Sequence, residues 1–371
     1  MILVAPARFS HIDSMRGVAA LLVVWMHTSE EFVKRATASF QDDLFNIASL
    51  LDFGRLGVVL FFAISGFVIP ASLNGDRGTA CRQFVIKRFF RLFPLYWLSI
   101  PIGLWACWAI WGKEASLATI LWNLTMVQEA AGYRSIIGLY WTLQTELVFY
   151  GLCVLLFLTG LLRSAFALAG LVLLFSAIHL LPWCLGMLGI TLPVTVSPSL
   201  AFLSLHLGVM CWGALFRMWY DDRKLHVLAK AAVVGYVGCW ALLACYALRY
   251  HYLVGENYPL MRFVMPYFLG VFLFALLASV VRIRMAFLVW LGTISYSLYL
   301  LHPIAMNLLL WFIDTGAWWA QKWSLGAYML CTVGLSIVLS AATYRLVEKP
   351  TMRIGAALAT RRAAGALPKA A

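Results

Sequence analysis

Apolar runs of about twenty residues, each long enough to cross a hydrocarbon core, recur from one end of the chain to the other. They cover residues 15–33, 53–73, 92–111, 136–158, 164–181, 200–219, 228–248, 263–281, 286–312 and 325–346. In lipid, every backbone N–H and C=O must be satisfied within the protein, which leaves helices or a closed barrel. The runs are continuous rather than strictly alternating, so the spans are helices. The predicted fold is an all-α, polytopic membrane bundle of about ten spans. Composition agrees: 63% of the 371 residues are hydrophobic and 12% are charged, too little charge to cover a soluble domain. No small-residue cleavage site follows the first run, so it is expected to stay as a span rather than be removed as a leader.

The net charge of +13 is scattered over the gaps between runs, which excludes a nucleic-acid patch and fits membrane topology. One set of gaps holds Arg77, Arg82, Lys87, Arg88, Arg91, Arg163, Arg217, Arg223, Lys224, Lys230, Arg282 and Arg284, and the tail adds Lys349, Arg353, Arg361, Arg362 and Lys369. The opposite set holds Lys34, Arg35, Arg55, Lys113, Arg134, Arg249, Arg262 and Lys322. The bias predicts both termini on the cytoplasmic side, provided that the gap at Arg163 is a loop. Residues 1–350 read as one transmembrane domain. Residues 351–371 read as a basic, Ala/Arg-rich cytoplasmic tail, frayed or lying on the anionic leaflet. The cysteines show no CxxC or Cys/His metal spacing, so no metal is predicted. Trp318, Trp319 and Trp323 suit an interfacial belt, or stacking on a sugar ring.

Ionisable groups inside apolar runs carry the chemistry, because burying them is costly. Arg16 and His27 lie eleven residues apart, which returns them to one helix face about 16 Å apart along the axis. They cannot touch on a continuous helix. Two readings stay open: two roles on one elongated substrate, with the imidazole as proton acceptor, or a snorkelling arginine and a histidine bonded to a neighbouring helix. Arg88 and Arg91, in KRFFR before Pro94, form an i, i+3 pair suited to phosphate, and would equally serve topology at the mouth of the third span. Glu146 needs a partner, for catalysis or for a structural ion pair. His302 precedes Pro303, where a kink predicts a structural role. Ser65-Gly66 predicts close helix packing.

Six segments in order, HIDSMRGVAALLVVWMH, GVVLFFAISGFVI, KRFFRLFPLYWLSI, YWTLQTELVFY, SYSLYLLHP and YRLVEKP, resemble the acyltransferase-3 family of bacterial membrane O-acyltransferases. The resemblance runs from about residue 9 to residue 353. It implies that Arg16 and His27 are the functional pair of the first helix, that Arg88 and Arg91 are the Arg-x-x-Arg of the third, and that Glu146 closes the Trp-Ser-Leu-x-x-Glu segment. Thr142 stands here in place of the usual serine. The family takes an acyl group from acyl-CoA and places it on a hydroxyl of a surface polysaccharide, lipid-linked glycan or small molecule. The expectation is therefore a multi-pass protein of the bacterial inner membrane, surrounded by lipids, that transfers an acyl group (acetyl above all, from acetyl-CoA) to a carbohydrate. Arg88, Arg91 and Arg16 would hold the donor, His27 would be the general base, and Glu146 would orient a substrate or the histidine. The competing reading is a multi-pass transporter that uses Arg16, His27 and Glu146 as a substrate or proton path. The absence of an internal repeat and of paired broken helices stands against it.

Overall fold

A computed structural model describes residues 9–36, 41–187, 197–222, 225–254, 258–316, 319 and 321–360. Among these the regular structure is entirely helical. In chain order the helices are α1 (Ser10–Phe32), α2 (Gln41–Leu50), α3 (Phe53–Val68), α4 (Arg77–Cys107), α5 (Leu117–Asn123), α6 (Tyr140–Leu158), α7 (Ala165–Met187), α8 (Pro198–Asp221), α9 (Val227–Val254), α10 (Tyr258–Leu276), α11 (Ala286–Thr293), α12 (Ser295–Thr315), α13 (Leu325–Thr343) and α14 (Lys349–Thr360). Nine helices among the described residues are long and apolar enough to cross a membrane, and they fall on the second to tenth of the apolar runs. The first run is α1, which is more polar and carries Asp13, Arg16, Glu30 and Glu31.

The place of α1 explains that polarity. It packs against α3, α11, α12 and α13, and Ala19, Ala20, Val23 and Val24 are fully buried. A helix enclosed by protein can turn charge toward internal cavities, where a lipid-facing helix cannot. By contrast, α7 is apolar around most of its surface, with Leu173 and Leu174 exposed, as suits a helix facing lipid.

Small residues allow the central helices to meet. Gly66 of α3 lies against the Met210 backbone of α8, and a Cβ there would collide with that carbonyl. The Ser65-Gly66 expectation of close packing is met. Gly66→Leu is expected to destabilise the bundle by more than the ~1–3 kcal/mol of ordinary overpacking, because backbone cannot yield as a side chain does. Thermal unfolding in detergent measures it against Gly151→Ala, whose added methyl meets open space and which is expected to be neutral or slightly stabilising.

One expectation holds and several change. The gap at Arg163 is a true turn: Gly160 takes a left-handed φ of 80°, and a single 3-10 turn, Leu161–Arg163, precedes α7. The third run is longer than its apolar part. Asp76 caps α4 by accepting from the Thr79 amide at 3.0 Å, and the helix runs on through Pro94 and Pro101. Arg88 and Arg91 therefore stand well inside α4, on the part of the helix that precedes the apolar run. The ninth run is two helices, broken between Thr293 and Ser295 where Gly292 presses on the Asp13 carbonyl of α1. Of the tail, α14 is packed rather than frayed. A wide π-helical turn, Tyr344–Glu348, leads into it, and it lies on α4 with Gly355 against Phe90. Arg223, Lys224, Trp318, Arg361, Arg362 and Lys369 lie outside the described residues.

Candidate active site

Two cavities flank the middle of α1. The first, of about 930 Å³, is lined by Arg16 of α1, Arg88 and Arg91 of α4, and Glu146 of α6, with Val58, Thr142, Tyr296 and Tyr299 among its walls. Four of the five expected site residues thus converge from three helices on one cavity, and His27 stays outside it. Glu146, Arg88 and Arg91 are held by local contacts. The Tyr150 hydroxyl, one turn along α6, donates to the Glu146 carboxylate at 2.6 Å. The Arg88 guanidinium lies 5.3 Å over both the Phe84 and Tyr150 rings, a cation–π arrangement, and donates to Ser72 Oγ at 3.3 Å. Arg91 reaches Met352 Sδ of α14 at 3.5 Å.

A second carboxylate completes this end. Glu348 is 2% exposed, accepts from the Ser297 hydroxyl of α12 and lies within electrostatic reach of Arg16 and Arg91. Three arginines and one carboxylate, Glu146, line the cavity, an excess of cations suited to phosphate. Glu348 was missed as a site residue; its one signal was a carboxylate in YRLVEKP at the end of an apolar run. A neighbouring pocket of about 800 Å³ shares Arg88 and Arg91 and adds Ser72, Asn74, Gln83 and Lys87.

The second cavity, of about 710 Å³, lies on the other side and holds His27, Glu30, Asp52, Arg55, Trp141, His206 and Arg262. Asp52 pairs with Arg55 at 3.5 Å and with Arg262 at 3.9 Å. His206 is buried, bonded to the Tyr267 hydroxyl at 2.9 Å, with its ring 5.2 Å from that of Trp141. Arg16 and His27 are thus on one helix and in separate cavities. Val58 and Tyr299 line both, and the Tyr299 hydroxyl meets Thr142 Oγ1 at 3.0 Å. One aliphatic and one phenolic side chain are thus shared by the two cavities.

The His27 ring does not meet Glu146, which belongs to the other cavity. His27 Nδ1 lies 3.0 Å from His302 Nε2, and His302 Nδ1 lies 3.2 Å from the Leu298 carbonyl oxygen. His302 is fully buried, and α12 continues through Pro303. Beside the structural role expected of it before Pro303, His302 makes a direct contact with His27. With Glu348, Tyr299 and His206, it is a residue that sequence reasoning left out of the site.

A sequence model of a family described as "Acyltransferase domain" matches residues 9–345, a stretch that contains every residue lining the two cavities. The protein belongs to the acyltransferase-3 family. It is a multi-pass membrane acyltransferase. Over 339 residues it is 24% identical to Nodulation protein 10 of Rhizobium leguminosarum bv. viciae, covering 84% of this chain and 85% of that one. Over 100 residues it is 38% identical to Protein 2 in picA locus of Rhizobium radiobacter, covering 26% of this chain and 44% of that protein. No solved structure matches it.

Proposed function

We propose that the acyltransferase moves an acyl group, acetyl in the first instance, from acyl-CoA to a hydroxyl of a carbohydrate. The observation that carries this reading is the pair of cavities. One is cationic, the other holds the histidine, and Val58 and Tyr299 stand between them. Phosphate oxygens of CoA would meet Arg88 and Arg91, with the nucleotide toward Lys87 and Gln83 in the adjoining pocket. Arg16 would steer the pantetheine arm along α1 toward the wall at Tyr299, and Glu146 would hold a donor of the arm. On the far side, Trp141 offers a face for a sugar ring, and Glu30 and Asp52 offer acceptors for its hydroxyls.

His27 takes the proton of the acceptor hydroxyl as that oxygen attacks the thioester carbonyl. The tetrahedral adduct collapses, the C–S bond breaks, and the CoA thiolate leaves with the proton that His27 returns. The products are the ester and CoA. The charge bias supports a reading in which the basic cavity opens toward the cytoplasm of a bacterial inner membrane, where acyl-CoA is made, and the histidine cavity toward the outside. The family match favours acyl transfer over the transport reading.

Purified protein in sealed vesicles is expected to consume acetyl-CoA supplied at the face that bears Arg77 and Arg284, and not when it is supplied at the face that bears Lys322. Single cysteines at those three positions, labelled by an impermeant reagent, report the orientation. Equal turnover from both faces would remove the two-sided arrangement, and no thioester consumption from either face would remove the acyl-CoA donor.

A further inference from the structure

His27 and His302 come from helices far apart in the chain, yet their rings lie within 9° of parallel with centroids 5.3 Å apart. Their nearest nitrogens are 3.0 Å apart. The gap between those two distances is about twice that from an imidazole centre to one of its nitrogens. The rings therefore meet edge to edge, close to one plane, and not face over face. That is the alignment a strong N–H···N hydrogen bond requires.

The direction of the chain follows from its far end. A carbonyl oxygen only accepts, so the His302 nitrogen beside the Leu298 oxygen, Nδ1, carries the proton. In a neutral ring the other nitrogen, Nε2, is then an acceptor. The His27 nitrogen that faces it, Nδ1, must be the donor, which leaves His27 Nε2 unprotonated, its lone pair free for the cavity that His27 lines. Among the described residues, the side chain that shares a hydrogen bond with the His27 ring is His302, and not Glu30 or Asp52 in the same cavity. A second imidazole suits this depth, since an ionised carboxylate buried there would cost more to desolvate.

We propose that His302 is the positioning residue of this acyltransferase. It fixes His27 in the Nδ1–H tautomer, aims Nε2 at the acceptor hydroxyl, and accepts a stronger hydrogen bond when His27 becomes an imidazolium. The proposal rests on the reading of His27 as general base. In it His302 neither gains nor loses a proton; the proton that His27 Nε2 takes from the hydroxyl is the one it returns to the thiolate.

The experiment has two arms. In the first, protein with ¹⁵N-labelled histidine rings is reconstituted in lipid and studied by solid-state NMR, with His27→Gln and His302→Gln spectra assigning the two residues among the seven histidines. Both rings are expected as neutral Nδ1–H tautomers, coupled through one hydrogen bond. A His27 ring protonated at Nε2 in the wild type overturns the proposal. In the second arm, His302→Leu is expected to lower kcat roughly 10²-fold with little change in KM for acetyl-CoA. His302→Gln, which places an amide oxygen near the lost Nε2, is expected to recover most of the loss. Normal kcat in His302→Leu, or a loss confined to KM, also overturns it. Wild-type protein that consumes no thioester would defeat the assigned reaction instead, and the NMR arm would still decide the tautomers.

Discussion

His27→Ala is expected to lower acyl transfer by about 10²–10⁴-fold, the usual loss on removing a general base, while the protein stays folded in the membrane. The side chain is half-buried on a helix enclosed by α3, α11, α12 and α13. Its removal leaves His302 without its partner, but it takes away no backbone contact. Turnover with acetyl-CoA and a sugar acceptor measures the loss, and thermal unfolding in the same detergent checks the fold. CoA affinity should hardly change, because His27 does not line the basic cavity. Near-normal turnover would exclude His27 as the base. An acyl group found on His27 by mass spectrometry of the wild type would replace direct transfer with a covalent relay.

The double variant Arg88→Ala, Arg91→Ala should show the second large effect, in binding of the donor. A charge-assisted contact to phosphate is worth about 1.5–3 kcal/mol. The two side chains are neighbours on one helix, so their losses will not add fully. A weakening of CoA binding of roughly a hundredfold or more is expected by calorimetry. Arg88→Lys and Arg91→Lys should recover only part of it, because lysine lacks the planar fork and, at position 88, the guanidinium face that lies over the Phe84 and Tyr150 rings. Wild-type CoA affinity in the double variant would reduce the pair to a topological signal. An unfolding temperature close to wild type is needed for either outcome to count, since Arg91 also contacts α14.

Much of this molecule is legible in local patterns. Apolar runs of spanning length name the helices, since lipid leaves the backbone no other way to satisfy itself. The i, i+3 spacing of Arg88 and Arg91 and the eleven-residue spacing of Arg16 and His27 follow from helix geometry alone, and the structure keeps both relations. Gly66 likewise announces a close approach, though not that Met210 lies on its other side.

What the sequence could not decide is which faces meet. Inside lipid, apolar surfaces gain little by choosing one neighbour over another, so helix rotation and register are set by detailed packing that no single run encodes. Tertiary structure alone puts His302 in the plane of His27 from 275 residues away, and brings Glu348 from the end of the bundle within electrostatic reach of Arg16 and Arg91. It also sends the two functional groups of α1 into separate cavities with Tyr299 and Val58 between them. The same packing makes α1 a protein-enclosed helix rather than a lipid-facing one, and so explains how the least apolar of the ten runs carries the site's first two residues.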